Sequence, residues 1–125
     1  MSQLKLSDGR NFEYEDNGVK SDQAILFLHG TPGAAKVWSQ WLPEVTDCLA
    51  IAASRAGYGK SDRHRGRTVA DDLADQQALL DHFHIKEFVS IGWSGGGPHS
   101  INMTRDPRSK GAITLAGVAE WGHAD

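Results

Sequence analysis

The feature that most constrains this chain is a serine flanked by glycines at the end of a strand-like segment. The run Gly92-Trp93-Ser94-Gly95-Gly96 follows directly on the apolar segment 87–91. A strand that enters a helix through so tight a turn holds the serine in a strained backbone conformation, and only small residues two positions before and after it leave room. Gly92 and Gly96 meet that requirement. The spacing therefore predicts a strand, a sharp turn and a helix, with Ser94 exposed at the turn.

Apolar runs alternate with helix-like stretches along most of the chain. Continuous apolar runs, typical of strands that are covered on both faces, occur at 24–29, 49–53, 88–91 and 112–116. Helices are expected at 68–83, around 37–42 with an end near Pro43, and from the sharp turn at Gly92–Gly96, here called the elbow, through 98–105. Buried strands that alternate with helices form parallel sheets. The sequence therefore predicts an α/β fold with a mostly parallel sheet and helices on both faces.

The segment 68–83 is the most regular of these helices. Thr68 is a suitable N-cap, and Asp71 and Asp72 stand in the first turn, where the helix dipole favours negative charge. Its apolar residues recur at helical spacing and are expected to form the buried stripe. They are Val69, Leu73, Leu80 and Phe83.

The N-terminal pattern predicts a hairpin, and the length and composition of the chain indicate a single domain. Alternating segments at 3–6 and 10–15, separated by Ser7-Asp8-Gly9, predict an antiparallel hairpin at the start of the sheet. The chain has 125 residues, of which 39% are hydrophobic, and this is enough for one core but not for two. One domain is therefore expected over residues 1–125.

Charge and hydropathy argue against nucleic-acid and membrane partners. The formal net charge is −3, and the cluster of Arg63, Arg65 and Arg67 is interpreted as a solvated loop. No stretch approaches the length needed to cross a bilayer, and the N-terminus lacks the apolar core of a signal peptide. A cytoplasmic location is expected.

A second glycine-rich turn follows the apolar run 24–29. In His29-Gly30-Thr31-Pro32-Gly33, a backbone N–H can point out of the sheet ladder toward a site at the strand end. The amides of Thr31 and Gly95 are candidates for the two donors that stabilise an oxyanion.

Three motifs in order carry a resemblance to a known family. With Arg55-Ala56-Gly57-Tyr58-Gly59-Lys60-Ser61-Asp62 between them, the motifs at 29–33 and 92–99 resemble the N-terminal half of the α/β-hydrolase fold superfamily. The resemblance covers essentially the whole chain. It implies that Ser94 is the nucleophile, that the Thr31 and Gly95 backbones form the oxyanion hole, and that the loop 57–59 supports the site.

This chain departs from the family pattern in two places. The commoner form of the third motif has Asp and Pro where this chain has Ser54 and Ala56, which leaves the anchoring of that loop open. Family members also continue through a cap and further strands that supply the catalytic acid and histidine. The expectation is therefore a partial domain, truncated after the sixth strand: a gene fragment, a trimmed chain or one part of a split protein.

Local residues offer few substitutes for the missing acid and base. Glu120 follows the last predicted strand and is a candidate triad acid, weighed against a solvated loop glutamate. Each of the six histidines is interpreted as structural or solvent-facing. The pair His82 and His84 lacks further ligands at metal spacing. In the segment 30–37, Val37 stands where a phosphate loop needs Ser or Thr, so no metal or cofactor is expected.

Two functional hypotheses remain open. The first is a serine hydrolase that acts on a small ester, amide or related acyl substrate through an acyl-enzyme at Ser94. The second is a catalytically silent fragment or binding module that keeps the elbow without a triad. In either case the strand 112–116 has no charge or proline to deter pairing at an open edge. We therefore expect self-association or a complementing C-terminal segment.

Overall fold

A six-stranded mixed sheet forms the framework of the protein. The structure is a computed structural model that describes residues 1–115. The strands are β1 (Ser2–Lys5), β2 (Asn11–Asp16), β3 (Gln23–Leu28), β4 (Leu49–Ala53), β5 (Glu87–Trp93) and β6 (Ser109–Leu115), in the order β1-β2-β4-β3-β5-β6. Strands β4, β3, β5 and β6 are parallel, whereas β1 pairs antiparallel with β2, and β2 with β4. The predicted α/β fold and its N-terminal hairpin are confirmed.

Within residues 1–115, two α-helices and four short 3₁₀ turns connect the strands. The helices are α1 (Val69–His82) and α2 (Gly97–Asn102), and the 3₁₀ turns are Ala35–Trp38, Leu42–Glu44, Ser94–Gly96 and Met103–Arg105. The single helix predicted around 37–42 is wrong, because two 3₁₀ turns occupy this region. Pro43 lies inside the second turn, near its start, where the missing N–H removes no intrahelical bond.

The two faces of the sheet differ in how completely they are covered. One face, here called the covered face, packs its apolar side chains against α1 and buries Leu26, Leu28, Leu79, Leu80 and Phe88. Among the described residues, the other face carries only the 3₁₀ turns 35–38 and 42–44 over a smaller cluster. A cavity of about 510 Å³ opens on this second face, here called the open face, and is lined by Phe27, Val37, Trp38, Trp41, Ile91, Trp93 and Leu115.

Helix α1 has the predicted ends but only part of the predicted buried stripe. Thr68 and Asp71 form a reciprocal capping box at its start. Leu80 is buried, whereas Val69 is exposed. The inner surface also buries Asp72, Asp75, Gln76 and Leu79. Carboxylates can face inward here because each has a partner.

Strand β6 is the last strand of the sheet among the described residues. It begins at Ser109, earlier than predicted, and so includes Lys110 and the irregular Gly111, where the register with β5 shifts. A lysine and a bulge hinder pairing along the first half of an edge. The second half, 112–115, carries neither, and the predicted last residue, Ala116, lies outside the described residues. No helix within residues 1–115 is long and apolar enough to cross a membrane.

Candidate active site

Ser94 occupies the sharp turn between β5 and α2. Its φ is +52°, a left-handed conformation that is costly for a residue with a Cβ, and its side chain is half-buried. The turn closes because its neighbours are glycines. A Cβ on Gly92 would overlap the Gly96 carbonyl, and a Cβ on Gly96 would overlap the Leu28 carbonyl of β3. The motif predicts a strained serine that is exposed at the turn; the strain is confirmed, whereas Ser94 is half-buried rather than fully exposed.

The turn after β3 lies directly against this elbow. A Cβ placed on Gly95 would stand 3.1 Å from the Thr31 backbone nitrogen, and one on Gly30 would stand 3.4 Å from Ser94 Cβ. The structure therefore brings Ser94, Thr31 and Gly95 together, as expected for neighbours of one reacting group. Among the backbone–backbone hydrogen bonds of the loops and turns in residues 1–115, none has the Thr31 N–H as its donor.

The Arg55 side chain hydrogen bonds to the turn 29–31. Its guanidinium donates from Nη1 to the His29 carbonyl at 2.6 Å and from Nη2 to Thr31 Oγ1 at 3.3 Å. Only 1% of Arg55 is exposed. Burial lowers the pKa of its guanidinium to about 10, so the group remains charged at neutral pH. The sequence pattern identifies the motif at residues 55–62, but it does not predict that the Arg55 side chain is buried.

His29 is a structural part of the same turn. Its Nε2 accepts from the Arg55 backbone N–H at 3.0 Å, so the proton resides on Nδ1, which donates to the Gly30 carbonyl at 2.7 Å. Burial, followed by the charge of Arg55, lowers the pKa of His29 to about 4. Both ring nitrogens are engaged, and His29 is not available as a base for Ser94.

Hydroxyl groups anchor the loop of the motif at residues 55–62. Ser54, which replaces the commoner Asp, donates to Glu13 Oε1 at 2.8 Å and accepts from the Ala35 N–H at 2.9 Å. Ser61 donates to the Ser54 carbonyl at 2.5 Å and accepts from the Glu13 N–H at 2.8 Å. Tyr58 packs edge-on against the His29 ring, with centroids 5.2 Å apart. The Ser54 departure therefore leaves the loop fixed beside the site.

A buried histidine and carboxylate tie the helix that follows Ser94 to α1. His99 Nδ1 lies 3.0 Å from Asp72 Oδ2, and both side chains are buried. Behind them, Ser100 and Ser90 join α2 to β5 through their hydroxyls at 3.1 Å. The sequence pattern does not predict this pair, since Asp72 fits the first turn of a helix without any partner and 27 residues separate it from His99.

The remaining candidates for acid and base are not brought to Ser94 by the described residues. No histidine nitrogen within residues 1–115 hydrogen bonds to Ser94 Oγ. His82 packs against Tyr14 and Phe83 at the end of α1, and His84 is exposed. Glu120, the candidate acid, lies outside the described residues.

Comparison with known proteins agrees with this geometry. The family described as alpha/beta hydrolase fold matches residues 23–125. The chain belongs to this family. It is 31% identical to a non-heme haloperoxidase of Rhodococcus erythropolis over 75% of this chain and 35% of that protein. It is also 31% identical to the uncharacterized hydrolase YcgS of Bacillus subtilis, over 91% of this chain and 41% of that protein.

A solved structure shows the same partial coverage of a longer relative. A hydrolase from Pseudomonas aeruginosa superposes with a TM-score of 0.84 at 22% identity, over 97% of this chain and 47% of that one. The chain therefore spans less than half the length of these relatives.

Proposed function

We propose that this α/β-hydrolase chain supplies the nucleophile and oxyanion hole of a serine hydrolase acting on small esters, amides or related acyl compounds. The observation that carries the proposal is the juxtaposition of the strained Ser94 with the backbone nitrogens of Thr31 and Gly95. Relatives named as hydrolases support the coarser assignment. The acyl substrate and the role of each residue are our inference from the geometry.

The proposed chemistry proceeds through two tetrahedral intermediates. Ser94 Oγ attacks the acyl carbon while its proton passes to a base, and the carbonyl oxygen becomes an oxyanion that accepts from the Thr31 and Gly95 N–H groups. The first intermediate collapses, expels an alcohol or amine and leaves an ester at Ser94. Attack by water then releases the acid and restores the serine.

The base and the acid of this reaction are proposed to come from outside the described residues. His29 is excluded as the base by its two engaged nitrogens, and His99 is committed to Asp72 through Nδ1. Glu120 remains our candidate for the acid. We accordingly propose that residues 1–125 form one partial domain, which pairs with a complementing C-terminal segment or a second copy.

The open face and the edge of β6 support such pairing. Ile113 and Leu115 are each almost half exposed, and Trp93 and Trp41 extend the apolar surface around the cavity. Exposed apolar surface of this kind commonly marks an interface. In sedimentation experiments across micromolar concentrations, we expect the chain to associate and Ile113→Lys to weaken association. Val69→Lys, at an exposed apolar position on α1, is the control; a well-folded monomer throughout would contradict the proposal.

Covalent labelling tests the nucleophile directly. A fluorophosphonate probe, which loses fluoride and forms a stable phosphonyl ester with a reactive serine, should modify Ser94 slowly, because the oxyanion donors are proposed to be present and the base is not; peptide mass spectrometry locates the adduct. Ser94→Ala should abolish the adduct, whereas Ser39→Ala, at another half-buried serine, should leave it unchanged. Equal labelling of the Ser94→Ala variant would overturn the proposal.

The alternative is a catalytically silent binding module. The observation in its favour is that Ser94 Oγ has no histidine partner within residues 1–115. A folded chain in which Ser94 never reacts with the probe would favour this alternative.

A further inference from the structure

Arg55 is a buried cation that has no carboxylate within ion-pair distance in the described part of the chain. The side chain is 1% exposed, and the ion pairs among residues 1–115 involve other groups. Removing an unpaired charge from water is expensive, so such a group persists only where other interactions offset the loss of hydration. Here those interactions come almost entirely from one turn.

The contacts of Arg55 converge on residues 29–31. Its guanidinium donates to the His29 carbonyl and to Thr31 Oγ1, with a longer approach of 3.5 Å to the Gly30 carbonyl. Its backbone N–H donates to His29 Nε2. One residue therefore fixes the carbonyls, the ring and the hydroxyl of the turn that carries the Thr31 N–H.

The charge also lies next to the place where negative charge develops in the proposed reaction. Thr31 supplies one proposed oxyanion donor, and the same residue accepts a hydrogen bond from the guanidinium. The carboxylate whose field acts on Arg55 is Asp72, which is itself bonded to His99 on α2. In a buried site, a fixed charge stabilises an oxyanion more than it would in water.

We propose that Arg55 is a positioning residue that locks the turn 29–31 with the Thr31 N–H beside Ser94 and holds a fixed positive charge behind the oxyanion. This inference rests on the proposed function of Ser94 and extends it. Arg55 does not touch the substrate, and it acts through Thr31 and His29. The planar guanidinium spans two acceptors at once, which a lysine ammonium at the same position cannot reproduce.

The test uses an aliphatic trifluoromethyl ketone as the probe. Ser94 Oγ adds to the ketone carbon to form a hemiketal, and ionisation of its oxygen releases a proton to solvent. Fluorine NMR then gives the pKa of that oxygen in the folded chain. We expect Arg55→Met to raise this pKa by about 1–3 units, and Arg55→Lys to raise it less, because the charge is retained. A merely structural role would not separate the two variants in this way.

Arg67→Met is the matched control. Arg67 also lies over the Tyr58 ring, at 5.8 Å compared with 5.9 Å for Arg55, but its hydrogen bond goes to the Ala56 carbonyl and not to the turn. The hemiketal pKa should be unchanged in this variant. An equal shift in the Arg67 and Arg55 variants, or no shift in Arg55→Met, would overturn the inference.

A second measurement separates this inference from the function of Ser94. Because the charge of Arg55 contributes to the low pKa of His29, Arg55→Met should raise that pKa in an NMR titration of the ring, and Arg55→Lys should raise it less. If the wild-type chain forms no Ser94 adduct, the proposed function and the oxyanion part of the inference both fail. An unchanged His29 pKa in Arg55→Met would refute the clamp on the turn even where the adduct forms. Arg55→Lys keeps both measurements possible should the methionine variant not fold.

Discussion

The covered and open faces belong to the same strands, yet they differ in how far their apolar side chains are buried. On the covered face Leu26 and Leu28 are 0% exposed, whereas on the open face Ile113 is 47% and Leu115 48% exposed. Side chains alternate between the two faces along each strand, so the same strands contribute apolar residues to both faces. The difference in exposure therefore comes from the elements that pack on each face. The part of the chain that the structure describes supplies two α-helices to one face and only short turns to the other. One core is therefore finished within the described residues, and the other is not.

The candidate site depends on the finished side. Helix α2 is joined to α1 by His99 and Asp72 and to β5 by Ser90 and Ser100. These links hold the elbow without any contribution from the open face. The comparison thus teaches that the turn around the proposed nucleophile can be fixed in a fold of which one face is still exposed.

The largest expected effect comes from truncating the same side chain on each face. Leu26→Ala removes methyl groups from the covered face and leaves a cavity, so we expect a loss of about 2–5 kcal/mol of unfolding free energy. Leu115→Ala removes half-exposed groups and should cost less than about 1 kcal/mol. Denaturant titration of both variants measures the difference. Equal losses would mean that something covers the open face as completely as the helices cover the other.

The next effect is a pH dependence that arises from His29. Its pKa in the folded protein is about 4, below the ordinary value of 6.5, so the unfolded chain takes up the proton first as the pH falls. Stability is complete above pH 6.5 and declines as the pH falls from 6.5 toward 4, by roughly 3 kcal/mol at most. Asp106, with a pKa of about 2, is protonated at lower pH and acts outside this interval.

Substitution of His29 isolates this contribution. In His29→Gln, unfolding free energies measured between pH 7 and pH 4 should lose most of this slope, whatever their absolute level. The same slope in the wild-type protein and in His29→Gln would mean that the folded protein tolerates a protonated His29, which would contradict this prediction.

A smaller effect is expected from the elbow itself. Gly92→Ala introduces a Cβ that overlaps the Gly96 carbonyl, and the backbone must shift to relieve it. We expect a loss of about 1–3 kcal/mol, as for other overpacked sites, together with loss of Ser94 labelling. Gly9→Ala is a useful control, since Gly9 has a positive φ but open space around its Cβ position. Unchanged labelling in Gly92→Ala would refute the elbow geometry.

Much of this architecture could be predicted from short-range patterns in the sequence. The apolar runs identified the parallel strands, and the glycine spacing predicted the strained Ser94 and its position beside Thr31. The patterns failed where tertiary pairing decides the outcome. Asp75 is buried on α1 because Arg10 meets it with two hydrogen bonds of 2.6 and 3.0 Å, and Asp72 is buried against His99. Partners separated by 65 and 27 residues leave no periodic signal.

The helix prediction for the region 35–44 was wrong for a different reason. Its apolar residues have approximately helical spacing, but they form two separate 3₁₀ turns over β3 and β4. Short 3₁₀ turns place side chains at intervals close to those of an α-helix, so the pattern does not distinguish between them. Arg55 was missed because a charged side chain in a glycine-rich loop is ordinarily exposed.

Acylation of the purified chain by an aryl ester tests the central claim most directly. The account predicts slow release of about one equivalent of the phenol, an acyl group on Ser94 and little turnover afterwards, because the proposed nucleophile lies beside the proposed oxyanion donors while no described histidine serves Ser94. Acylation at another residue would contradict the assignment of Ser94. Sustained hydrolysis at a rate typical of complete enzymes, abolished both by Ser94→Ala and by substitution of one histidine of this chain, would contradict the proposal that the base comes from elsewhere.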